Sequence, residues 1–158
     1  MQPSSVILAG AAFRVPALEA LAAQRLGRRR RAVGRQLRVL PGSLQQGERV
    51  LTLARGWWGM RGALVVATDR RLLLLARSLP LRRPRKRELA YAQLASVAGR
   101  VDGDRVWLRL DGADSVLLLE LAPADAGQEL AQLVAGRAGL RRVDTLPAPI
   151  YRPGAFVG

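Results

Sequence analysis

The chain has 158 residues, with 26 basic side chains against 12 acidic ones, a formal charge of +14 and a hydrophobic share of 49%. That share excludes a wholly polar disordered chain, and the length fits one ordinary domain with attached segments. Cysteine and histidine are both absent, which excludes disulfides, thiol nucleophiles, histidine bases and the usual zinc, haem and iron–sulfur ligand sets, so no cofactor is expected.

Residues 1 to 15, MQPSSVILAGAAFRV, hold a short apolar stretch with no basic residues ahead of it, and Arg14 interrupts it far short of a bilayer span. A conventional secretion signal is not expected, and the absence of cysteine permits a cytoplasmic location, with any membrane contact peripheral at the inner face. From Pro16 onward Leu18, Leu21, Ala22 and Leu26 recur at spacings of three and four, and the stripe continues through Val33 and Leu37. Gly27 and Gly34 weaken it, while Arg28, Arg29, Arg30 and Arg31 point like charges in successive directions. One helix or two short ones should therefore stop before Pro41-Gly42. This basic arm, residues 1–43, reads either as an amphipathic element for a membrane, nucleic acid or protein partner, or as a solvated helix packed beside the main domain.

After PGSLQQGE the periodicity changes, and short apolar or alternating runs predict strands at 48–55, 63–68, 71–77, 86–91, 95–101, 105–110 and 115–121. Asp69-Arg70, Asp102-Gly103-Asp104 and Asp111-Gly112 are turn signals between them. Within RVWLRL, Val106, Leu108 and Leu110 belong inside, and Arg105, Trp107 and Arg109 share the other face. The segment 123–140 returns to a helical period, with Pro123 in its first turn and Leu130, Leu133 and Val134 in an apolar stripe. The remainder, 141–158, is a proline-containing tail, flexible or docked.

Two stretches carry the candidate chemistry. RGWWGMRG, 55–62, reads as a loop that offers Trp57, Trp58 and Met60 to a headgroup boundary while Arg55 and Arg61 meet phosphates, or as a folded aromatic loop that closes the barrel mouth or forms a protein interface. Arg82, Arg83, Arg85, Lys86 and Arg87 form a second basic cluster in the connection before the fourth strand, either a ligand site or a solvated linker. The excess charge is uneven: residues 1–87 hold 19 basic and three acidic side chains, residues 88–158 seven and nine. Such asymmetry favours an anionic partner, and arginine's planar fork suits phosphate and carboxylate. Nucleic acid is the alternative partner, with arginines on phosphates and tryptophans on bases, although no helix-turn-helix, RNA-recognition or zinc-finger pattern is present. No Walker loop, GxGxxG or GxSxG motif occurs, so no enzyme is expected. Asp102, Asp104, Asp111 and Asp114 fit solvated turns, and no metal is expected there.

The order LQQGERVL at 44–51, GALVVATDRRLLLL at 62–75, ELAYAQLASVAG at 88–99, and VWLRL followed by VLLLEL and the helix at 123 to about 138 resembles the bacterial PH-like domains of the YokE-like family. The resemblance implies a mainly β domain at 44–140 with flanking helices, a PH-like seven-stranded bent sheet pair or barrel capped by the C-terminal helix. It also implies architectural roles for Gly47-Glu48, Thr68-Asp69-Arg70-Arg71, Tyr91 and Leu94. Together these readings predict a noncatalytic interaction module for a protein or an anionic membrane surface.

Overall fold

A computed structural model describes residues 14–77, 85–141 and 143–146. The arm folds as α1 (Arg14–Leu26), a 3₁₀ segment (Gly27–Val33) and α2 (Gly34–Ser43). Gly27 breaks the helix at φ +52, a conformation that side chains resist. Helix α2 does not stop before Pro41 as expected but runs through it to Ser43. So close to a C-terminus the proline removes only one backbone bond, and the preceding turn still packs Leu37 and Leu40.

Seven antiparallel strands follow, β1 (Val50–Trp58), β2 (Arg61–Thr68), β3 (Arg71–Ala76), β4 (Arg85–Ala90), β5 (Leu94–Asp102), β6 (Arg105–Gly112) and β7 (Val116–Ala122). Helix α3 (Ala124–Arg137) comes next, and a two-residue strand in the tail, β8 (Asp144–Thr145), pairs in parallel with β5 at Ala98 and Gly99. The sheet order is β4-β3-β2-β1-β7-β6-β5-β8. The fold is thus mainly β, with the seven long strands and the helix after the last of them that the resemblance implied. Its sheet is open, however, not a closed barrel, because β4 and β8 form its two edges.

The continuous apolar runs of β2 and β3 have a direct cause. Ala54, Val65, Ala67, Leu72 and Leu74 enter a core with Leu108, Leu110, Leu117, Leu119 and Leu121 and with Leu130 and Val134 of α3. The intervening residues Leu53, Leu64, Val66, Leu73 and Leu75 meet Leu18, Leu21, Leu26, Val33, Leu37 and Leu40 of the arm. Strands covered on both faces lose the usual alternation. Strand β6, covered on one face, keeps it, with Val106, Leu108 and Leu110 buried and Arg105 and Arg109 exposed. The arm's apolar stripe therefore packs against the sheet, and its surplus arginines face outward.

One buried polar knot fixes that junction. Arg71 Nε and NH2 donate to the two oxygens of Glu48 at 2.9 Å each, NH2 also donates to the Ser43 carbonyl at 2.8 Å, and NH1 lies 2.6 Å from Glu88. Glu48 accepts further bonds from the Gln45 N–H and the Thr68 hydroxyl, both at 2.7 Å. Burial alone would raise the Glu48 carboxyl. The bonds from Arg71, Gln45 and Thr68 outweigh it and hold the group below the ordinary carboxylate range. The hydrogen bond to Glu48 raises Arg71 in turn. Tyr91, pushed up mainly by burial, donates its hydroxyl to the Thr68 carbonyl at 2.6 Å. These are the architectural roles that the resemblance implied for Glu48, Thr68, Arg71 and Tyr91.

Candidate functional site

Trp57 and Trp58 lie in strand β1, not in a loop. Trp57 pairs with Gly62 and Glu120, and Trp58 pairs with Arg61 and Leu119. The strand is longer than expected because its end is held on both sides, by β2 and by β7. Gly56 permits the second contact, since a Cβ there would stand 2.3 Å from the Glu120 carbonyl oxygen. Only Gly59, at φ +61, and Met60 remain as a two-residue hairpin turn. Met60 is 93% exposed.

Strand alternation then sends the two tryptophans to opposite faces. Trp58 is half-buried against the inner core, and the Arg87 guanidinium lies 5.8 Å above its ring. Arg87 also donates to the Ser115 hydroxyl at 2.9 Å, tying β4 to the β6–β7 turn. Trp58, Met60, Arg61 and Arg85 line a recess of about 250 Å³ at this end of the sheet, with no carboxylate among the described residues of its wall.

On the other face Trp57, 40% exposed, has the Arg55 guanidinium 5.9 Å from its ring centroid. Arg29, Arg55, Gly56, Trp57, Asp104, Arg105, Glu120 and Ala122 line a second recess of about 330 Å³. Arg29 pairs with Asp104 at 2.5 Å, and Arg105 pairs with Glu120. A third, shallower recess of about 660 Å³ runs along the arm beside Ala23, Gly27, Arg28, Arg30 and Arg31.

The structure thus gathers Trp58, Arg61, Arg85 and Arg87 at the hairpin end, and Arg29, Arg55 and Trp57 on the opposite face of β1. Arg28, Arg30 and Arg31 stay near the second group, on the arm. Lys86 joins neither, because it pairs with Glu88 beside the buried knot, and Arg82 and Arg83 lie outside the described residues. Asp104 and Glu120 were not singled out from the sequence as site residues. The available signal was Glu120 itself, an acid on the outward phase of VLLLEL. The four aspartates divide between the two ends of β6, Asp102 and Asp104 at one and Asp111 and Asp114 at the other. Eight residues of strand keep them roughly 20 Å or more apart. Asp111 is held below its ordinary pKa by the Ser96 hydroxyl and by Arg109. Among the described residues no group of three or more acidic side chains is placed to hold a metal ion. Nor, among them, is any helix long and apolar enough to cross a membrane. Both hairpin tryptophans have an arginine guanidinium within about 6 Å of the ring centroid.

No protein-family profile and no curated protein matches the sequence. Among solved structures the chain is similar to a pleckstrin homology domain from Shewanella amazonensis, at 16% identity, over 72% of this chain and 97% of that one, with a TM-score of 0.45. It is also similar to the linker-DH/PH domains of p115-RhoGEF, at 15% identity and a TM-score of 0.46. That match takes in 84% of this chain but only 43% of the other. These comparisons do not confirm the YokE-like family.

Proposed function

We propose that the protein is a noncatalytic PH-like binding module that docks on an anionic membrane surface through the hairpin end, at the cytoplasmic face. The observation that carries this reading is the composition of that end. An almost fully exposed Met60 stands beside Trp58, with Arg61 and Arg85 in the same recess and no carboxylate among them. An apolar tip ringed by guanidiniums suits the headgroup boundary, where the side chain enters the acyl region and the cations meet phosphates. The noncatalytic part is supported by where the best-connected acid sits: Glu48 is sealed in the junction of arm and sheet, its oxygens already occupied.

Sedimentation with vesicles tests the proposal. Binding to vesicles rich in phosphatidylserine should exceed binding to phosphatidylcholine alone and weaken as salt rises. At about 1 kcal/mol per arginine near an anionic surface, the double variant Arg61→Gln/Arg85→Gln should bind roughly thirtyfold more weakly. Equal binding to neutral and anionic vesicles, or no binding at low salt, would refute it. A protein partner is the other occupant that this end suits, and binding unaffected by lipid charge but lost with Met60→Asp would point there.

A further inference from the structure

We propose that the recess between the 3₁₀ segment, β1 and the β5–β6 turn is a binding site for a phosphate monoester. It lies on the face of β1 opposite Trp58, and does not depend on membrane docking by the hairpin end.

Three elements far apart in sequence each contribute a guanidinium to this recess: Arg29 from the 3₁₀ segment, Arg55 from β1 and Arg105 from the start of β6. Among the described residues two carboxylates share it, Asp104 on Arg29 and Glu120 on Arg105. Arg55 has no ion-pair partner among the described residues, and its guanidinium rests on the Trp57 ring. The stacking holds a planar fork in place, which lowers the ordering cost of meeting an oxyanion. The floor leaves room because Ala122, which pairs with Arg55 across the sheet, has only a methyl group.

The segment above the recess, of which only Arg29 lines it, adds positive charge nearby. Its seven residues, GRRRRAV, form an unusually long 3₁₀ helix, with three residues per turn, so Arg28 and Arg31 stand nearly in line. Arg28, Arg30 and Arg31 are exposed and, among the described residues, have no ion-pair partner. Four adjacent cations with a single acidic neighbour form a self-repelling stretch that a polyvalent anion relieves.

The chemistry favours a monoester. Its two charges and three terminal oxygens satisfy Arg55 and Arg105 together and replace Asp104 on Arg29, whereas a carboxylate brings one charge and a diester exposes two oxygens. The Asp104 side chain is 64% exposed and free to swing into solvent. Glu120, only 9% exposed, stays on Arg105 and orients it. About 330 Å³ accommodates a phosphate on a small polyol.

Such a group occurs free and at the head of phosphatidic acid, and two measurements on the full chain separate the sources. Calorimetric titration with glycerol 3-phosphate reads the free form. Sedimentation with phosphatidylcholine vesicles containing phosphatidic acid, compared with charge-matched phosphatidylglycerol vesicles, reads the lipid form. Saturable binding in either measurement, weakened about tenfold by Arg55→Gln and by Arg105→Gln, is the expected result. Arg61→Gln/Arg85→Gln should leave glycerol 3-phosphate affinity unchanged, so failure of the hairpin-end reading and failure of this one are distinguishable. Circular dichroism of each variant checks its folding. If Arg55→Gln binds as well as the wild type, or if the wild type prefers neither glycerol 3-phosphate over glycerol nor phosphatidic acid over phosphatidylglycerol, the proposal is overturned.

Discussion

Replacing Arg71 by methionine removes the guanidinium that joins the arm, the start of β1, β3 and β4, while keeping much of the side chain's length. The Glu48 side chain, fully buried, then loses both bonds from Arg71 and keeps only those from Gln45 and Thr68, and the Ser43 carbonyl loses its donor. Removing one partner of a buried ion pair typically costs about 3–5 kcal/mol, because the remaining charge stays desolvated. Against a total stability of roughly 5–15 kcal/mol this is a large fraction. With a urea dependence of about 2 kcal/mol/M, the unfolding midpoint followed by tryptophan fluorescence should fall by about 1.5–2.5 M. The double variant Arg71→Met/Glu48→Gln removes the stranded charge as well, so it should be less destabilised than the sum of its single changes by at least about 1 kcal/mol. A loss below about 1 kcal/mol for Arg71→Met, or strict additivity of the pair, would refute the view that this knot is a strongly coupled buried charge network.

Acid should weaken the protein through the same group. Because the folded Glu48 pKa lies below its ordinary value, its contribution is present above the unfolded pKa of about 4.5 and is lost as pH falls through the lower folded pKa. Urea midpoints measured from pH 7 to pH 3 should therefore decline less steeply in Glu48→Gln than in the wild type. Gly56→Ala should be far more damaging than an ordinary strand substitution, since its Cβ meets a backbone oxygen at 2.3 Å, and thermal unfolding should show a loss of several kcal/mol or no folded protein. Leu73→Ala, which opens space between sheet and arm, should cost about 2–5 kcal/mol in the same assay. A cost below 1 kcal/mol would mean that the arm does not pack there.

Local signals in the sequence were enough to locate most elements. The alternation in RVWLRL, the turn chemistry of Asp102-Gly103-Asp104 and the three-four spacing of the arm and of α3 all describe neighbours within one element, and each element appears close to its expected place. The continuous run LLLL read as a strand, but pattern alone did not say that both of its faces are covered or which segments cover them. Tertiary structure assigned that role to the arm, because the arm's apolar stripe and the outer face of β1–β3 are the two surfaces left uncovered once α3 closes the inner core.

The candidate site was legible in residue type and not in arrangement. Trp57 and Trp58 read as a loop because a glycine-flanked aromatic pair has no period of its own, and only the Gly56 approach to β7 draws both into a strand. That placement also divides them, since neighbours on a strand point to opposite faces. The sequence by itself determined the surplus of positive charge and its concentration before Glu88. Tertiary structure decided that part of this charge, among the described residues, lines separate recesses at the hairpin end, beneath the arm and along it, because β1 sends Trp57 and Trp58 to opposite faces of the sheet.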